Sequence, residues 1–296
     1  MDYKLKLQLH VHSRRSHDSD TSIENYVSYL KNNLEDNEYA VLGITDHNVE
    51  PIKMRSALKY SNRKVIVIPG IQWKIHKTFV EALTKLCTRR EIITLGDHDD
   101  FAEYVLKNKY FILENKELSG NLHENEFLNY INLCRNLAIV IPHPRHLFFD
   151  YYGKKEIKNL YAKVLKRRIS HNFLVENKTG YDPFPRLFHD YKRDYLVLGG
   201  SDAHRIYSFF KVSALFSVDT IISSNEELIK LWETAFREKS LDIYKKVIEN
   251  FFILLKEKNN DIVIKKYYLR SIFHFLYSVP VFIKRRFDNF PHNLTR

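Results

Sequence analysis

The sequence has few of the residues that build cross-linked or repetitive scaffolds. Its 296 residues include two cysteines, Cys87 and Cys134, which excludes a disulfide framework and any site built on a CxxC pair. With only 8 glycines and 8 prolines, collagen-like and low-complexity architectures are excluded as well. No apolar run reaches the roughly 18 residues of a membrane span, and the N-terminal residues lack the apolar core of a signal peptide. We therefore expect a reducing, cytoplasmic setting and no transmembrane segment.

The chain is rich in apolar and basic residues. It is 44% hydrophobic and 14% aromatic, enough for one large domain or a domain with an appendage. The net charge of +11 is uneven, because residues 237–296 hold 13 Lys and Arg against 6 Asp and Glu. Basic and aromatic side chains interleave there, a mix typical of nucleic-acid binding. The alternatives are a protein partner, a membrane surface, or a helical pair that covers the main domain.

The segment from Lys4 to Val11 alternates polar and apolar residues, which predicts a strand. His10 and His12 are two residues apart, so in a strand they point to the same face. The apolar residues Leu5, Leu7, Leu9 and Val11 are expected to face the opposite way. Two imidazoles on one face of a strand suit a transition metal.

Five further apolar segments are predicted strands, and each is followed by residues that carry chemistry. Apolar strands that alternate with helices indicate a parallel sheet buried on both faces, with functional groups at the C-terminal ends of the strands. The segments are 40–45 before Asp46 and His47, 64–70 before Gln72, 137–142 before His143, 173–175 before Glu176, and 195–200 before Asp202 and His204.

The order of these motifs resembles that of the PHP (polymerase and histidinol phosphatase) family of metal-dependent phosphoesterases. The matching segments are His10-Val-His-Ser, Thr45-Asp-His-Asn, Ile141-Pro-His-Pro and Gly200-Ser-Asp-Ala-His, with Asp18 as the carboxylate near the first. The resemblance covers about residues 4–236. It implies an α/β fold, a distorted (β/α)7 barrel, and a cluster of two or three divalent metal ions, Zn, Mn or Fe.

The resemblance also implies roles for single residues. One metal would be held by His10, His12 and Asp202. A second would be held or bordered by Asp18, His47 and His204, and His143 would serve a third. Asp18, His47, His143 and Asp202 would accordingly take part in catalysis.

Other residues near the motifs are interpreted from their chemistry. Arg145 and Arg205, like Arg14 and Arg15, are candidates to bind phosphate oxygens, the alternative being plain surface charge. Asp46 is expected to support a ligand rather than to bind metal itself.

Two departures from the family pattern concern the same part of the cluster. Gln72 stands where the family has a Glu that bridges two metals. Gln has one carbonyl acceptor and no charge, so we expect weaker metal binding. The family also places a His in a strand soon afterwards, whereas segment 91–96 contains none; His98 follows it, where a helix start explains the sequence better. A reduced, binuclear site and a loss of activity are both compatible with these changes.

These observations predict a PHP-like barrel over residues 1–236, with a helical insertion at about 74–136, and a C-terminal helical extension over residues 237–296. Helices are expected over 241–255 and 262–277. The leading hypothesis is a metal-dependent phosphoesterase that cleaves phosphodiester bonds in nucleic acid. The C-terminal extension is also a candidate to bind a protein partner. The alternatives are a phosphomonoesterase acting on a small metabolite and a degenerate barrel with a binding or scaffolding role.

Overall fold

The computed structural model of the chain describes residues 3–16, 19–47, 54–76, 89–96, 112–114, 117–119, 124–132, 137–142, 154–166, 172–179, 195–200, 202–203, 218–258, 261 and 263–266. Its strands are β1 Tyr3–Val11, β2 Glu38–His47, β3 Val65–His76, β4 Arg89–Leu95, β5 Ile112–Glu114, β6 Glu117–Ser119, β7 Ala138–Ile141, β8 Asn172–Thr179, β9 Leu196–Gly200, β10 Val218–Ser224 and β11 Val263–Lys266. Its helices are α1 Ile23–Asn32, α2 Met54–Tyr60, α3 Glu124–Ile131, α4 Lys154–Lys166, α5 Glu226–Glu238 and α6 Leu241–Glu257. Within these ranges no helix is both long and apolar enough to cross a membrane.

Nine strands form one sheet in the order β11-β10-β1-β2-β3-β4-β7-β8-β9, and β5 and β6 pair separately. Neighbours from β1 to β3 and from β7 to β9 run parallel, as the alternation of apolar strands and helices predicts. β4 runs antiparallel to both β3 and β7, and here the prediction of a parallel sheet is wrong. The apolar residues of β4 indicate a buried strand but contain no information about its direction.

The sheet curls until its far edge meets β1. Immediately after β9, Ala203 forms a parallel bridge with Val11. The His12 backbone N–H donates to the Ala203 carbonyl at 2.9 Å, and the Asp202 N–H donates to the His10 carbonyl at 3.0 Å. The seven strands from β1 through β9 in the sheet order are therefore nearly closed, which is compatible with a distorted barrel.

The largest apolar cluster lies inside this curled sheet and extends to the C-terminal helices. Leu7, Ile68 and Leu174 from three strands belong to the same cluster as Trp232 of α5 and Phe251 of α6. The α5 and α6 side chains in it adjoin residues near the beginnings of the strands, which places this helix pair at the end where the strands start. Two smaller clusters lie on the other face of the sheet, one beneath α1 and one beneath α3 and α4.

Several helices follow their sequence signals. Ser22 caps α1, because its hydroxyl accepts from the Asn25 N–H at 3.2 Å, and the apolar face formed by Ile23, Tyr26, Val27 and Leu30 is buried. The helix predicted over 241–255 is confirmed as α6, capped by Ser240. Its packing on the sheet matches the alternative in which this region covers the barrel, and the boundary at residue 237 remains a prediction.

The structure differs from the sequence-based prediction in two further segments, the C-terminal extension and the insertion. Residues 263–266, predicted to be helical, form β11, which pairs antiparallel with β10. The β-branched run at 262–264 favours a strand, and the adjacent edge of β10 supplies its hydrogen bonds. The predicted helical insertion at about 74–136 contains α3 but also the strands β4, β5 and β6, and its residues 77–88 lie outside the described ones.

Candidate metal centre

An irregularity in β1 determines the direction of its two histidines. Leu5, Leu7 and Leu9 pack in the central cluster, but Val11 packs on the opposite face of the sheet. The change coincides with a shift of register against β2 between Gln8 and Val11. The prediction that all four apolar residues share a face is therefore wrong for Val11, because an irregular residue in a strand reverses the alternation that follows it.

The reversal turns His10 and His12 toward the inside of the curled sheet. Gln72, which contacts His10, lies on the same face of β3 as Ile68, and Ile68 belongs to the central cluster. Glu176, the other contact of His10, lies on the same face of β8 as Leu174, which belongs to that cluster too. A buried polar cluster thus continues the apolar interior toward the C-terminal ends of the strands.

His10, His12 and Asp202 form a compact group whose potential ligand atoms all lie within 4.8 Å of one another. The Asp202 Oδ1 atom is 3.1 Å from the Nε2 atom of each histidine, and the two Nε2 atoms are 3.3 Å apart. Both imidazoles are fully buried, and Asp202 is 8% exposed. Asp202 has a left-handed backbone with φ of 49°, a conformation that Asp tolerates better than most residues.

Glu176 and Gln72 hold the His10 ring from two sides. Its Nδ1 lies 2.8 Å from Glu176 Oε1, and its Nε2 lies 3.0 Å from Gln72 Oε1. Burial lowers the pKa of His10, but the Glu176 and Asp202 carboxylates outweigh burial and raise it well above its ordinary value. A cation and a proton would compete for the same nitrogen, Nε2.

Gly200 makes room for the Glu176 carboxylate. A Cβ atom at this position would lie 2.1 Å from Glu176 Oε1, closer than any real contact. The glycine at the end of β9 is thus required by the side chain that orients His10, rather than by a turn.

His12 is held by a second group of polar residues. Its Nδ1 lies 3.4 Å from the Ser16 hydroxyl, and Ser16 in turn donates to Asp46 Oδ1 at 3.2 Å. Asp46 also accepts from the Ser13 N–H and hydroxyl at 2.5 and 2.7 Å. Burial raises the pKa of Asp46 to about 6, although these hydrogen bonds oppose the shift. With Nδ1 engaged, the Nε2 atom of His12 is the one that faces Asp202.

His47 completes the described part of the cluster. Its ring stacks on His12 with centroids 4.3 Å apart, and its backbone N–H donates to the Ser16 hydroxyl at 2.9 Å. The structure therefore brings together five of the residues singled out from the sequence, namely His10, His12, His47, Gln72 and Asp202. The candidates Asp18, His143, Arg145, His204 and Arg205 lie outside the described residues, as does His98. Of the other two phosphate-binding candidates, Arg14 donates through Nε to the Asp20 carbonyl at 2.6 Å, and Arg15 follows it in the same loop.

Three contacts of the cluster have no counterpart among the site residues chosen from the sequence. Glu176 was noticeable as a carboxylate directly after a buried strand, but its pairing with His10 was not. Ser16 belongs to a polar loop in which no single hydroxyl stands out. Glu91, which accepts from the Gln72 amide at 2.5 Å, depends on the antiparallel register of β4, which the sequence does not indicate.

The donor atoms suit a divalent transition metal. Two imidazole nitrogens and one carboxylate oxygen lie within 4.8 Å of one another, with the Gln72 amide oxygen 3.0 Å from His10 Nε2, and borderline ions such as Zn, Mn or Fe accept this combination. The contact between His10 and Glu176 matches the carboxylate–histidine arrangement that commonly orients a metal-binding imidazole.

No family model and no curated protein matches the sequence. Among solved structures, a proposed metal-dependent phosphoesterase from Bifidobacterium adolescentis ATCC 15703 is 12% identical over 68% of this chain and 87% of that chain, with a TM-score of 0.42. An amidohydrolase from Chromobacterium violaceum, with bound sulfate and no metal, is 13% identical over 67% of this chain and 87% of that chain, with a TM-score of 0.38. At these TM-scores neither likeness bears on what this chain does.

Proposed function

We propose that this chain is a metal-dependent phosphoesterase of PHP type that hydrolyses phosphodiester bonds, with nucleic acid as its substrate. The observation that supports the proposal is the convergence of His10, His12 and Asp202 at the inner rim of a curled sheet. These three residues come from the first and last of the motifs that resemble the PHP family. Their convergence is what a shared metal site requires, although Asp202 is 190 residues from His12 along the chain.

The residues that would hold the ion are His10, His12 and Asp202, with the Gln72 amide oxygen beside them. A divalent ion held there would supply Lewis acidity, polarising a phosphoryl oxygen and lowering the pKa of water. Glu176 orients the His10 ring through Nδ1, and the contact of Ser16 with Nδ1 does the same for His12. The negative charges of Asp202 and Glu176 stabilise the cationic site from two sides.

The further roles of the family pattern belong to the same proposal. Asp18, His47 and His204 would bind or border a second ion, and His143 a third. Arg145 and Arg205 would bind the substrate phosphate. For His47, the stack on His12 supports a place at the cluster.

A panel of chromogenic substrates tests the reaction class. The metal-loaded chain should hydrolyse bis(4-nitrophenyl) phosphate faster than 4-nitrophenyl phosphate, and excess EDTA should abolish both activities. Asp202→Asn keeps the shape of the side chain but removes its charge, and should lower the rate by more than about 100-fold. Glu233→Gln removes a carboxylate that pairs with Arg63 on the surface and serves as the charge control.

The outcomes of this panel separate the candidates. Hydrolysis of the monoester alone would favour the phosphomonoesterase, and activity that survives EDTA would contradict a metal-dependent reaction. Metal binding without turnover of any phosphoester would favour a degenerate barrel with a binding role. The uncharged Gln72, which faces His10, is the observation that keeps this second function in consideration.

The charge of residues 237–296 motivates nucleic acid as the substrate, and Lys284, Arg285 and Arg286 are its densest run. Replacing these three by Gln should weaken oligonucleotide binding and make it less dependent on salt, because fewer counterions are released. Hydrolysis of the small chromogenic diester should stay unchanged, since no motif lies in this segment. Unaltered oligonucleotide binding with no salt dependence would contradict nucleic acid as the partner of this segment and would favour a protein or membrane partner.

A further inference from the structure

Gln72 makes two polar contacts through the two ends of its amide. One end lies 3.0 Å from His10 Nε2, and the other lies 2.5 Å from a carboxylate oxygen of Glu91. Glu91 reaches it diagonally across the antiparallel pair of β3 and β4, in which Gln72 is directly opposite Ile93. Gln72 is 1% exposed, and its contact with His10 is buried, whereas Glu91 is partly exposed and its contact with Gln72 is part-buried.

The contact with Glu91 determines which end of the amide faces the histidines. An ionised carboxylate only accepts hydrogen bonds, so the group beside it must be the amide NH2 of Gln72. The carbonyl oxygen of Gln72 consequently faces His10 Nε2, the nitrogen that also lies 3.1 Å from Asp202 Oδ1. A reversed amide would place two acceptors against each other at Glu91 and would direct N–H donors at the point where a cation binds.

The same contact increases the negative character of that carbonyl oxygen. Hydrogen bonds to a charged group are stronger than neutral ones, and a donor engaged in such a bond polarises the rest of its amide. Part of the negative charge that a Glu at position 72 would bring is thus provided from the neighbouring strand.

We propose that Glu91 is a positioning residue for the metal centre, which holds the Gln72 amide so that its oxygen serves the cation, and that the two residues act as a pair. The inference rests on the proposed metal site at His10, His12 and Asp202. It also accounts for the uncharged residue at position 72, because Glu91 already provides a carboxylate at hydrogen-bond distance.

If Gln72 and Glu91 act as a pair, the effect on metal binding of a substitution at one position depends on the residue at the other. With Glu at position 72, two carboxylates would lie about 2.5 Å apart, and their repulsion opposes the benefit of the added charge. Replacing Glu91 by Gln in that background restores a hydrogen bond with the donor and acceptor exchanged. Glu91→Gln is therefore harmful beside Gln72 and beneficial beside Gln72→Glu.

The test is a double-mutant cycle on the full chain, with Mn²⁺ and Zn²⁺ affinity measured by calorimetry and thermal unfolding measured in EDTA. Glu91→Gln alone should weaken metal binding about tenfold, because substituting a residue that orients a metal ligand commonly has an effect of this size. In the Gln72→Glu background the same substitution should strengthen it by a similar factor and raise the melting temperature in EDTA. Glu91→Asp keeps the charge but shortens the reach, so it should also weaken metal binding if the contact with Gln72 matters and should have no effect if only the distant charge matters.

Each outcome decides between the alternatives. A reversal of sign between the two backgrounds supports the pair, since a purely structural role gives the same sign in both. The same sign in both backgrounds, with metal bound by the unaltered chain, overturns this inference alone. An unaltered chain that binds neither ion overturns the inference together with the proposed function. Glu233→Gln, the surface carboxylate control, should change neither affinity nor melting temperature.

Discussion

The two ends of the curled sheet are equally buried but chemically opposite. Near the strand starts, Leu5 is 0% exposed and belongs to an apolar cluster completed by α5 and α6. At the C-terminal ends, His10 is also 0% exposed, and its contacts are Glu176, Gln72, His12 and Asp202. One strand, β1, contributes to both ends.

The apolar end of the sheet stabilises the fold, whereas the polar end holds the side chains that suit metal binding. The apolar end gains free energy from each side chain removed from water, about 25 cal/mol per Å². At the polar end, burial costs free energy unless the groups are paired, and an unpaired charge there is more costly still. The hydrogen bonds among Ser13, Ser16 and Asp46 offset that cost, and they also orient His12.

The first prediction concerns stability at the apolar end. Phe251→Ala removes a buried ring of α6 from the central cluster and should lower the free energy of unfolding by about 3–5 kcal/mol. Ile253→Ala on the same helix is the matched control, because Ile253 is 53% exposed and should have little effect. Denaturant unfolding measures both, and metal affinity of the folded chain should be unchanged. Equal effects of the two substitutions would contradict the place of α6 in the core.

The second prediction concerns the boundary between β9 and the polar cluster. Gly200→Ala directs a Cβ into the Glu176 carboxylate, which should cost about 1–3 kcal/mol of stability. Displacement of Glu176 from His10 should also weaken metal binding about 10–100-fold. Glu176→Ala alone removes the same carboxylate without a clash, and should weaken metal binding by a similar factor. Wild-type metal affinity in Gly200→Ala would show that Glu176 does not orient His10.

The third and smallest effect concerns a polar pair at the start of the strands. Lys6 Nζ lies 2.6 Å from Glu38 Oε2, and the Glu35 N–H donates to the same oxygen. Burial raises the pKa of Glu38, but Lys6 and the Glu35 N–H outweigh it, so the pKa is lowered overall. Glu38→Gln should cost about 0.5–1 kcal/mol at neutral pH.

The lowered pKa determines the pH dependence of that loss. An acid whose pKa is lower in the folded state stabilises the fold above its ordinary value, about 4.3, and loses this contribution as the pH falls through the lowered pKa. The stability difference between wild type and Glu38→Gln should therefore vanish in acid. A difference that persists at low pH would show that packing, and not the ion pair, is responsible.

The sequence was sufficient for the periodic features and for the residues that share a rim. The apolar segments predicted β1, β2, β3, β7, β8 and β9. The motifs predicted that His10, His12, His47 and Asp202 lie close together. The irregularity in β1 could not be predicted, because Val11 continues the apolar alternation of Leu5, Leu7 and Leu9. Contacts that depend on strand order and direction, such as Gln72 with Glu91 and Gly200 with Glu176, could not be predicted either.

The sequence also did not predict where β2 and β3 end. β2 continues through His47, and β3 continues through Gln72 to His76, so these polar residues lie within strands rather than beyond them. Polar residues usually mark the end of a buried strand. Gln72 instead continues β3, because its partners His10 and Glu91 lie on β1 and β4. The backbone N–H of His47, at the end of β2, donates to the Ser16 hydroxyl.

The metal content of the purified chain tests the central claim most directly. Elemental analysis of protein prepared without chelators should find at least one transition-metal ion per chain. The double substitution His10→Ala with His12→Ala should abolish this content, whereas His123→Ala, a histidine outside every motif, should leave it intact. Circular dichroism would verify that each variant is folded. Equal metal content in the wild type and the folded double variant would contradict a metal centre at the polar end of the sheet.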